Sequence, residues 1–296
     1  MTIDEIKCEI ERAYKLRVDG LNFIRESGSV AYELKSGGRR YFLRVLKPVF
    51  PHASRVALDV QLYLEAEGFP VTHIVRTTDG SPLAKTAAGA LVLYDFVDGA
   101  ETDPERDAEE VGELVGRMHS LMRGFSGELP ACEREYYIDR YLSILRTKNY
   151  AKAGKFAEIG YNAWREVENL PRGFCHGDLY PGNTMRTVGG VLLLDFDTAC
   201  RSFPMYDAMV YCNRTNYFKF EPDGRKKSHE TFEKFLNGYQ KHAEFSAEEI
   251  AAFDSLVTIY HFAVQANVIE SFGLDCVDDA FFDGQLNWLE HWVSGD

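Results

Sequence analysis

The first hundred residues alternate between hydrophobic and polar positions in short runs that end at glycine and serine. Residues 23–34 predict a strand, a tight Ser-Gly-Ser turn and a returning strand, because β-branched and aromatic residues flank the turn. Residues 35–40 then predict a hairpin turn, and residues 41–46 predict a third strand. The pattern therefore predicts that the chain begins with a lobe built mainly of strands.

Helical spacing of apolar residues follows these strands. Residues 53–67 carry valine and leucine three or four positions apart and predict a helix. Two further strands are predicted over residues 72–75 and 90–96. Residues 1–97 are thus predicted to form a small β-rich lobe, followed by a hinge of small residues at 97–100.

Beyond the hinge, the spacing of apolar residues is mostly helical. Asp103-Pro104 opens a helix with acidic residues in its first turn, and Gly112 and Gly116 within it predict close contact with a neighbouring element. His119 in the same helix is predicted to be a packed structural group. Four further helices are predicted over residues 136–146, 156–167, 228–242 and 246–272. Residues 98–296 are therefore predicted to form a larger, mainly helical lobe.

Two short apolar runs interrupt the helices, and each is followed by polar residues. Residues 173–175 and 191–194 predict buried strands, and Gly189-Gly190 predicts the hairpin turn that pairs them. Three side chains would then lie at one edge of a sheet: Asp178, Asn183 and Asp195. Two carboxylates and a carboxamide form an oxygen-ligand set suited to Mg²⁺, which phosphoryl transfer from ATP requires. The alternative is two Asp-capped turns beside a buried structural histidine.

Composition narrows the class of protein. The 296 residues carry a net charge of −13, which argues against nucleic acid as a partner because binding phosphates needs clustered lysine and arginine. The charge is compatible with a cationic substrate, although solubility alone would explain it. No apolar run approaches the ~20 residues that cross a bilayer. The start of the chain has no signal-peptide pattern, and the six cysteines are scattered without a Cys-x-x-Cys pair. A cytoplasmic protein with no membrane partner is expected, and its oligomeric state is not predicted.

The segment His176-Gly177-Asp178-Leu179-Tyr180-Pro181-Gly182-Asn183, with the later Asp195-Phe196-Asp197, resembles the aminoglycoside phosphotransferase and choline kinase-like superfamily. Type II homoserine kinases belong to that group, and the resemblance extends from about residue 23 to about residue 213. It implies an α+β, two-lobed protein-kinase-like fold with a small β-rich lobe and a larger helical one. It also implies ATP, with GTP as the alternative, and Mg²⁺ as cofactors. The γ-phosphoryl group would pass to a hydroxyl of a small molecule such as an aminoglycoside, an amino alcohol or homoserine.

The resemblance implies roles for the residues of the catalytic segment. Asp178 would orient the attacking hydroxyl or accept its proton. Asn183 and Asp195 would bind Mg²⁺. His176 would orient the loop without acting as a base.

Two further aspartates would support the site. Asp207 would brace the catalytic loop through backbone N–H groups, as a buried aspartate does in the family. Asp197 would be either a second metal ligand or a cap at the strand end. Gly177 stands where protein kinases usually carry arginine, which suggests an enzyme without phosphorylation-controlled activation.

The predicted small lobe departs from the family at one position. Arg44 stands on the third strand where the family has lysine, and a guanidinium can bind phosphate with a different reach and geometry. Alternation places Lys47 on the opposite face, and Asp59 on the helix is expected to pair with Arg44. The alternative is that Arg44 and Asp59 are both surface residues.

Nucleotide contacts are expected at two other places in the small lobe. The turn formed by Ser27, Gly28 and Ser29 would lay backbone N–H groups over the phosphates, although an ordinary hairpin has the same sequence. By analogy with kinase hinges, adenine would lie beside the side chain of Tyr94. It would hydrogen-bond to the backbone of Asp95 and Val97.

Two rival functions stay open at this point. One is a protein Ser/Thr kinase on the same fold, and the other is a non-catalytic nucleotide-binding protein, which Arg44 in place of lysine motivates. The presence of Asp178, Asn183 and Asp195 together argues against the second. Acceptor residues are expected in an acidic cluster of the C-terminal helices, with a solvated acidic helix end as the alternative. The cluster contains Asp275, Asp278, Asp279, Phe281, Phe282 and Asp283.

Overall fold

The computed structural model describes residues 1–27, 29–46, 51–87 and 89–295, and the chain divides into two compact units. The first unit comprises Met1–Glu101, Phe125–Glu128 and Asn183–Thr198. The second comprises Thr102–Gly124, Leu129–Gly182 and Ala199–Asp296. The first is rich in strands and the second is mainly helical, which confirms the α+β fold class. The predicted lobes are contiguous in the chain, whereas these units interleave.

The main sheet of the first unit is antiparallel. Its described strands are β1 (Gly20–Ser27), β2 (Ser29–Ser36), β3 (Arg39–Leu46), β4 (Ile74–Val75), β5 (Ala84–Thr86) and β6 (Gly89–Asp95). They are ordered β1-β2-β3-β6-β4, and β5 also pairs with β6. Two helices of this unit are α1 (Ile3–Tyr14) and α2 (Pro51–Ala66). The predicted strands and helix are present, and α1 and β5 are additions that the hydrophobic pattern did not indicate.

Both faces of this sheet carry hydrophobic layers. Alternation along β3 sends Leu43 and Val45 to one face, where they belong to a cluster with buried residues of α1. Phe42 and Arg44 point to the other face, which also carries Tyr94 of β6 and packs against α2. Arg44 is therefore a cation placed along the edge of an apolar layer.

Two small sheets carry the segments of the predicted hairpin, and their pairing differs from the prediction. In the first unit, β7 (Ala100–Glu101), β9 (Thr184–Thr187) and β10 (Gly190–Leu193) form a sheet in the order β10-β9-β7. In the second unit, β8 (Gly173–Cys175) pairs with β11 (Cys200–Ser202).

The prediction that residues 173–175 pair with residues 191–194 is therefore wrong. Gly189-Gly190 does mark a hairpin turn, but the turn joins β9 to β10. The physical reason is that residues 184–187 supply a partner strand of equal length immediately before the turn, so that the hairpin closes locally.

Helices make up most of the second unit. They are α3 (Pro104–Met122), α4 (Arg140–Thr147), α5 (Ala153–Val167), α6 (Pro204–Cys212), α7 (Gly224–Tyr239), α8 (Ala247–Ala251), α9 (Phe253–Phe272) and α10 (Asp279–Ser294). The prediction of one helix over residues 246–272 is wrong in one respect, because the structure has two helices there. The backbone departs from regular helical geometry at Ala252 (ψ 0°), and this separates α8 from α9. Ser246 and Glu249 form a capping box at the start of α8, since each side chain accepts a hydrogen bond from the other's backbone N–H. Within the described ranges, no helix is both long and apolar enough to cross a bilayer.

Close packing of α3 against α7 confirms the interpretation of the two glycines in α3. A Cβ at Gly112 would overlap the carbonyl oxygen of Phe235, and one at Gly116 would overlap that of Tyr239. Gly238 of α7 approaches the backbone of α3 in the same way. The absence of side chains at these positions lets the two backbones touch.

Candidate active site

The loop after β8 is anchored by a buried carboxylate. Asp207, which is fully buried in α6, accepts hydrogen bonds from the backbone N–H groups of His176 (2.7 Å) and Gly177 (2.9 Å). Gly177 has a φ of 83°, a left-handed conformation that glycine adopts without steric cost. Two successive N–H groups can therefore converge on one carboxylate. Asp178 is the next residue, so the two hydrogen bonds to Asp207 fix the backbone that carries Asp178. The resemblance implies this bracing role for Asp207.

Two histidines near this loop are buried. His119 of α3 lies between two partners: its Nε2 is 3.0 Å from Oδ2 of Asp207 and its Nδ1 is 2.9 Å from the hydroxyl of Tyr239. His176 is fully buried, and its Nδ1 is 3.4 Å from the N–H of Asp178. Because an N–H can only donate, Nδ1 of His176 is the acceptor in that long contact. Both imidazoles therefore have positions suited to holding the loop.

Three tyrosines of the second unit lie within electrostatic reach of Asp178. Burial raises the pKa of Tyr206, Tyr217 and Tyr260 above the usual value, and the negative charge of Asp178 raises each pKa further. The Tyr260 ring packs edge-on against both others, with centroids 5.6 Å from Tyr206 and 5.3 Å from Tyr217. Asn213 donates to the Tyr217 hydroxyl at 2.8 Å. These phenols stay protonated at neutral pH. Tyr217 and Tyr260 are only partly buried and can present polar, aromatic surface near Asp178, whereas Tyr206 is buried.

Sequence reasoning missed these tyrosines. Tyr206 precedes Asp207 in Pro-Met-Tyr-Asp, so its place in that motif was an available signal. Tyr217 and Tyr260 have no such local signal, because only the packing of α6, α9 and the loop between α6 and α7 brings them near the others.

The β9–β10 hairpin brings the backbones of Asn183 and Asp195 together in the first unit. β9 begins directly after Asn183, and the N–H of Leu194 donates to the Asn183 carbonyl at 2.9 Å. Asp195 has a φ of 56°, an uncommon conformation for a residue other than glycine and one that is found disproportionately at functional positions. The expected proximity of Asn183 and Asp195 is thus supported, although β9 rather than β8 provides the pairing.

The carboxylate of Asp195 has the features of a metal ligand. Its Oδ1 is buried and meets no hydrogen-bond donor among the described residues, and Nη1 of Arg44 lies 3.7 Å away, too far for a hydrogen bond. Its Oδ2 is 3.4 Å from Nη2 of Arg25, a partner that the sequence analysis did not identify although it lies close to the Ser-Gly-Ser turn.

The side-chain oxygens of Asp195 and Asn183 suit Mg²⁺ better than a metal ion whose ligands all come from the protein. No group of three or more His, Cys, Asp or Glu side chains could hold a metal ion within the described residues. Magnesium is typically bound by one or two carboxylates and keeps waters or phosphate oxygens for the rest of its shell. Asp195, with the carboxamide of Asn183, matches that requirement.

Arg44 is held by Asp197 and not by Asp59. Its Nη1 donates to Oδ1 of Asp197 at 3.0 Å, its Nη2 donates to Oδ2, and its Nε donates to the Ser29 hydroxyl at 3.2 Å. Burial lowers the pKa of Arg44, but the hydrogen bonds and charge of Asp197 outweigh burial, so the pKa is raised. The Arg44 side chain is only 13% exposed, which excludes the surface alternative for it.

The prediction that Asp59 pairs with Arg44 is wrong. The Asp59 side chain is 53% exposed on the outer face of α2 and lies 3.7 Å from Arg55, one helical turn away. Helical periodicity explains this, because the neighbours Leu58 and Val60 turn towards the interior and leave Asp59 facing outward.

The positions predicted to contact adenine lie at the end of β6. Burial, partly opposed by the charge of Arg44, raises the pKa of Tyr94 to about 12. The Asp95 N–H donates to the carbonyl of His73 at 3.0 Å, so a nucleotide would meet the Asp95 carbonyl rather than its N–H. Val97 follows β6 and is partly buried.

The predicted phosphate turn is described only in part. Ser27 and Ser29 face each other across β1 and β2. Gly28 between them lies outside the described residues, and so does Lys47. The hydroxyl of Ser29 is a partner of Arg44, which places this turn beside the cation.

Contacts of Asp278, Phe282 and Asp283 favour the alternative that the C-terminal acidic cluster is a helix end and not an acceptor site. Asp278 caps α10 by accepting the N–H of Phe281 at 2.9 Å. Asp283 accepts hydrogen bonds from Lys152 Nζ (2.6 Å) and the Tyr150 hydroxyl (2.7 Å). Phe282 is fully buried in the core. These side chains are thus engaged in holding the helix.

Comparison with known proteins identifies a family and its fold. A family model described as "Phosphotransferase enzyme family" matches residues 22–249, which is most of the chain. Amicoumacin kinase of Bacillus subtilis (strain 168) is 19% identical over 294 residues, which cover 93% of this chain and 88% of that protein. A homoserine kinase of Rhizobium etli is 28% identical over 212 residues, which cover 67% of this chain and 63% of that protein.

A solved structure extends the similarity over almost the whole chain. The amicoumacin kinase hAmiN, in complex with AMP-PNP, Ca²⁺ and Ami, has a TM-score of 0.80 at 17% identity. The alignment covers 99% of this chain and 94% of that one. The kinase-like fold implied by the resemblance is therefore confirmed.

Proposed function

This chain belongs to the phosphotransferase enzyme family, and we propose that it transfers the γ-phosphoryl group of ATP to a hydroxyl group of a small molecule. The observation that carries the proposal is the loop held by Asp207, whose carboxylate accepts two backbone N–H groups and so fixes the backbone directly before Asp178. Phosphoryl transfer depends mainly on positioning and on charge stabilisation, so a carboxylate on a fixed loop is what the reaction requires.

The first unit would bind the nucleotide. Arg44 would donate to the phosphates, and the backbone turn at residues 27–29 would lie over them. Adenine would lie beside Tyr94 and hydrogen-bond to the carbonyl of Asp95 and the N–H of Val97. Support comes from hAmiN, a kinase of the same fold whose complex contains AMP-PNP.

Asn183 and Asp195 would hold Mg²⁺. The orphaned Oδ1 of Asp195 and the carboxamide of Asn183 are the protein ligands in this proposal. When bound, Mg²⁺ neutralises charge on the phosphates. GTP is the alternative nucleotide, and no residue described above favours it.

In the second unit, Asp178 would orient the acceptor hydroxyl and take its proton as the bond from that oxygen to the γ-phosphorus forms, while the bond from the γ-phosphorus to the β–γ bridging oxygen breaks and ADP leaves. His176 would keep the loop in register, and Asp207 would brace it. The tyrosine group near Asp178 would contact the acceptor, with phenol hydroxyls that can donate to its polar atoms. The acidic cluster near Phe282 is not part of the proposed acceptor site, because its carboxylates have structural partners.

The proposed acceptor is a hydroxyl compound that also carries an amino group, of the aminoglycoside, amino-alcohol or homoserine kind. Two relatives are named for kinases of amicoumacin and homoserine, which supports a small molecule. The net charge of −13 favours attraction of a cationic acceptor.

A screen of ATP consumption tests the proposal. Purified protein with Mg·ATP is offered aminoglycosides, amino alcohols and homoserine, and the phosphorylated product is identified by mass spectrometry. Asp178→Asn is the matched control: transfer by this chain should fall about a hundredfold or more in it, whereas transfer by a contaminant in the preparation would be unchanged. Transfer to Ser/Thr peptides alone would favour a protein kinase, and nucleotide binding without transfer to any acceptor would favour a binding protein.

A further inference from the structure

The guanidinium of Arg44 has donors to spare beyond its contacts with protein. Arginine carries five N–H donors in a planar fork. Among the described residues, Arg44 uses three of them with Ser29 and Asp197: Nε with Ser29, and one N–H from each terminal nitrogen with Asp197. The Tyr94 hydroxyl is a further hydrogen-bond partner of the guanidinium, which leaves at least one N–H for another acceptor.

We propose that Asp197 is a positioning residue that holds Arg44 for phosphate binding. It takes the place that Asp59 on the helix was expected to have. Ser29 and Asp197 fix the plane of the guanidinium, so that its charge and its remaining N–H are held in place for a phosphate oxygen. The inference rests on the proposed function, because it assigns the acceptor of that N–H to the nucleotide.

The two aspartates of Asp195-Phe196-Asp197 would then have separate tasks. Asp197 commits both carboxylate oxygens to Arg44, so it is a poor additional ligand for a metal ion. Asp195 keeps Oδ1 without a hydrogen bond among the described residues, 3.7 Å from the same guanidinium. The motif therefore supplies one carboxylate to a cationic side chain and the other to Mg²⁺, and Asp197 is neither a metal ligand nor a strand-end cap.

The helix offers no comparable partner in the described residues around Arg44. Asp59 points outward and pairs with Arg55 at the surface. A cation that is only 13% exposed needs a close carboxylate to remain charged without a large desolvation cost, and Asp197 supplies it in a bidentate geometry.

A double-mutant cycle on nucleotide binding tests this role. Binding of Mg·AMP-PNP is measured by calorimetry at saturating Mg²⁺ for the wild type, Asp197→Asn, Arg44→Ala and the double variant. We expect Asp197→Asn to weaken binding about tenfold and Arg44→Ala about ten- to a hundredfold. If Asp197 acts through Arg44, the double variant binds no more weakly than Arg44→Ala alone. Arg44→Lys should bind with intermediate affinity, because one charge remains but the fork geometry is lost.

Asp59→Asn is the matched control, since it removes the same carboxylate from an exposed site. Its affinity should stay within about twofold of wild type, as expected for a surface ion pair. Asp197→Glu keeps the charge and should recover part of the loss, and it replaces Asp197→Asn if that variant does not fold. Thermal unfolding without nucleotide shows whether each variant is folded.

Several outcomes would overturn the inference. They are wild-type affinity in Asp197→Asn, independent and additive effects of Asp197→Asn and Arg44→Ala, and an Asp59→Asn effect as large as that of Asp197→Asn. Near-normal affinity in Arg44→Ala would assign the phosphate cation to another residue. Failure of the proposed function looks different, because the wild type would then bind no Mg·AMP-PNP or would phosphorylate no hydroxyl compound.

Discussion

Asp207 in the second unit and Asp197 in the first each hold a functional group in place, and they do so by different means. Asp207 is fully buried and accepts two backbone N–H groups, with a buried histidine as its third partner. Asp197 is 38% exposed and bonds only to a side chain in the described contacts, that of Arg44. One anchor is part of the core, while the other lies at its edge.

The difference teaches where a substitution should act globally and where it should act locally. Backbone N–H groups cannot find new partners when a buried acceptor is lost, so the fold bears the cost. The Asp197 carboxylate is 38% exposed, so water can take its place beside the guanidinium when it is lost, and the cost falls mainly on ligand binding. Stability and nucleotide affinity should therefore respond separately to changes in the two regions.

The largest expected effect is at Asp207. Asp207→Ala leaves the N–H groups of His176 and Gly177 without their acceptor, at about 1–3 kcal/mol each. We expect a loss of about 3–5 kcal/mol in the free energy of unfolding, measured by urea denaturation, and no detectable turnover. Asp283→Ala is the control, because it breaks an exposed ion pair with Lys152, and such pairs contribute little to stability. A loss at Asp207 as small as that of the control would break the comparison.

Asp195→Ala should abolish Mg²⁺-dependent nucleotide binding with little change in stability. The metal would lose its main carboxylate, and the left-handed φ of 56° at this position, which aspartate adopts more readily than alanine, should cost only a small loss of stability. Calorimetric titration of ATP into the variant, with and without Mg²⁺, measures this. Unchanged affinity and unchanged Mg²⁺ dependence would place the metal elsewhere.

Asp178→Asn should cut turnover by about a hundredfold or more while folding and ATP affinity stay close to wild type. The reason is that the carboxylate acts on the acceptor hydroxyl, whereas the loop backbone is held by Asp207. Turnover is measured on the true acceptor, and ATP affinity by calorimetry. A rate within a few-fold of wild type would remove Asp178 from the chemistry.

Tyr217→Phe should have the smallest effect, and it tests whether these tyrosines act on the acceptor and not on ATP. It removes the hydroxyl that accepts from Asn213 and keeps the ring against Tyr260. We expect the KM for the acceptor to rise about two- to tenfold, the scale of one hydrogen bond, and the KM for ATP to stay unchanged. A selective rise in the KM for ATP would argue against an acceptor-side role for these tyrosines.

Local patterns predicted much of the fold. The alternation of residues 23–34 and 41–46 gave the first three strands, because each strand pairs with its neighbour in sequence across a short turn. The catalytic segment was also predictable, since His176 to Asn183 lies on one loop. The role of Asp207 in bracing the loop followed from the resemblance. Its hydrogen bonds with the N–H groups of His176 and Gly177 agree with that role.

Contacts between distant segments were not predictable from the sequence. β8 has three residues, too few to specify a register, and its partner β11 is separated from it by the whole β9–β10 hairpin. The partner of Arg44 could not be read from the chain either, because Asp59 and Asp197 are both suitably charged. Only the direction in which each side chain points distinguishes them, and α2 turns Asp59 outward.

The contact between α3 and α7 sets a limit on engineering this enzyme for heat resistance. Replacing a helix glycine by alanine is a common route to stabilisation, worth about 1 kcal/mol where space allows. At Gly112 and Gly116 the added methyl group would strike a carbonyl oxygen of α7 and displace the helix that carries His119. Gly154 in α5 and Gly284 in α10 have no atom within 4 Å of the position a methyl group would take. Thermostable variants should therefore be sought in α5 and α10, with the glycines of α3 left untouched.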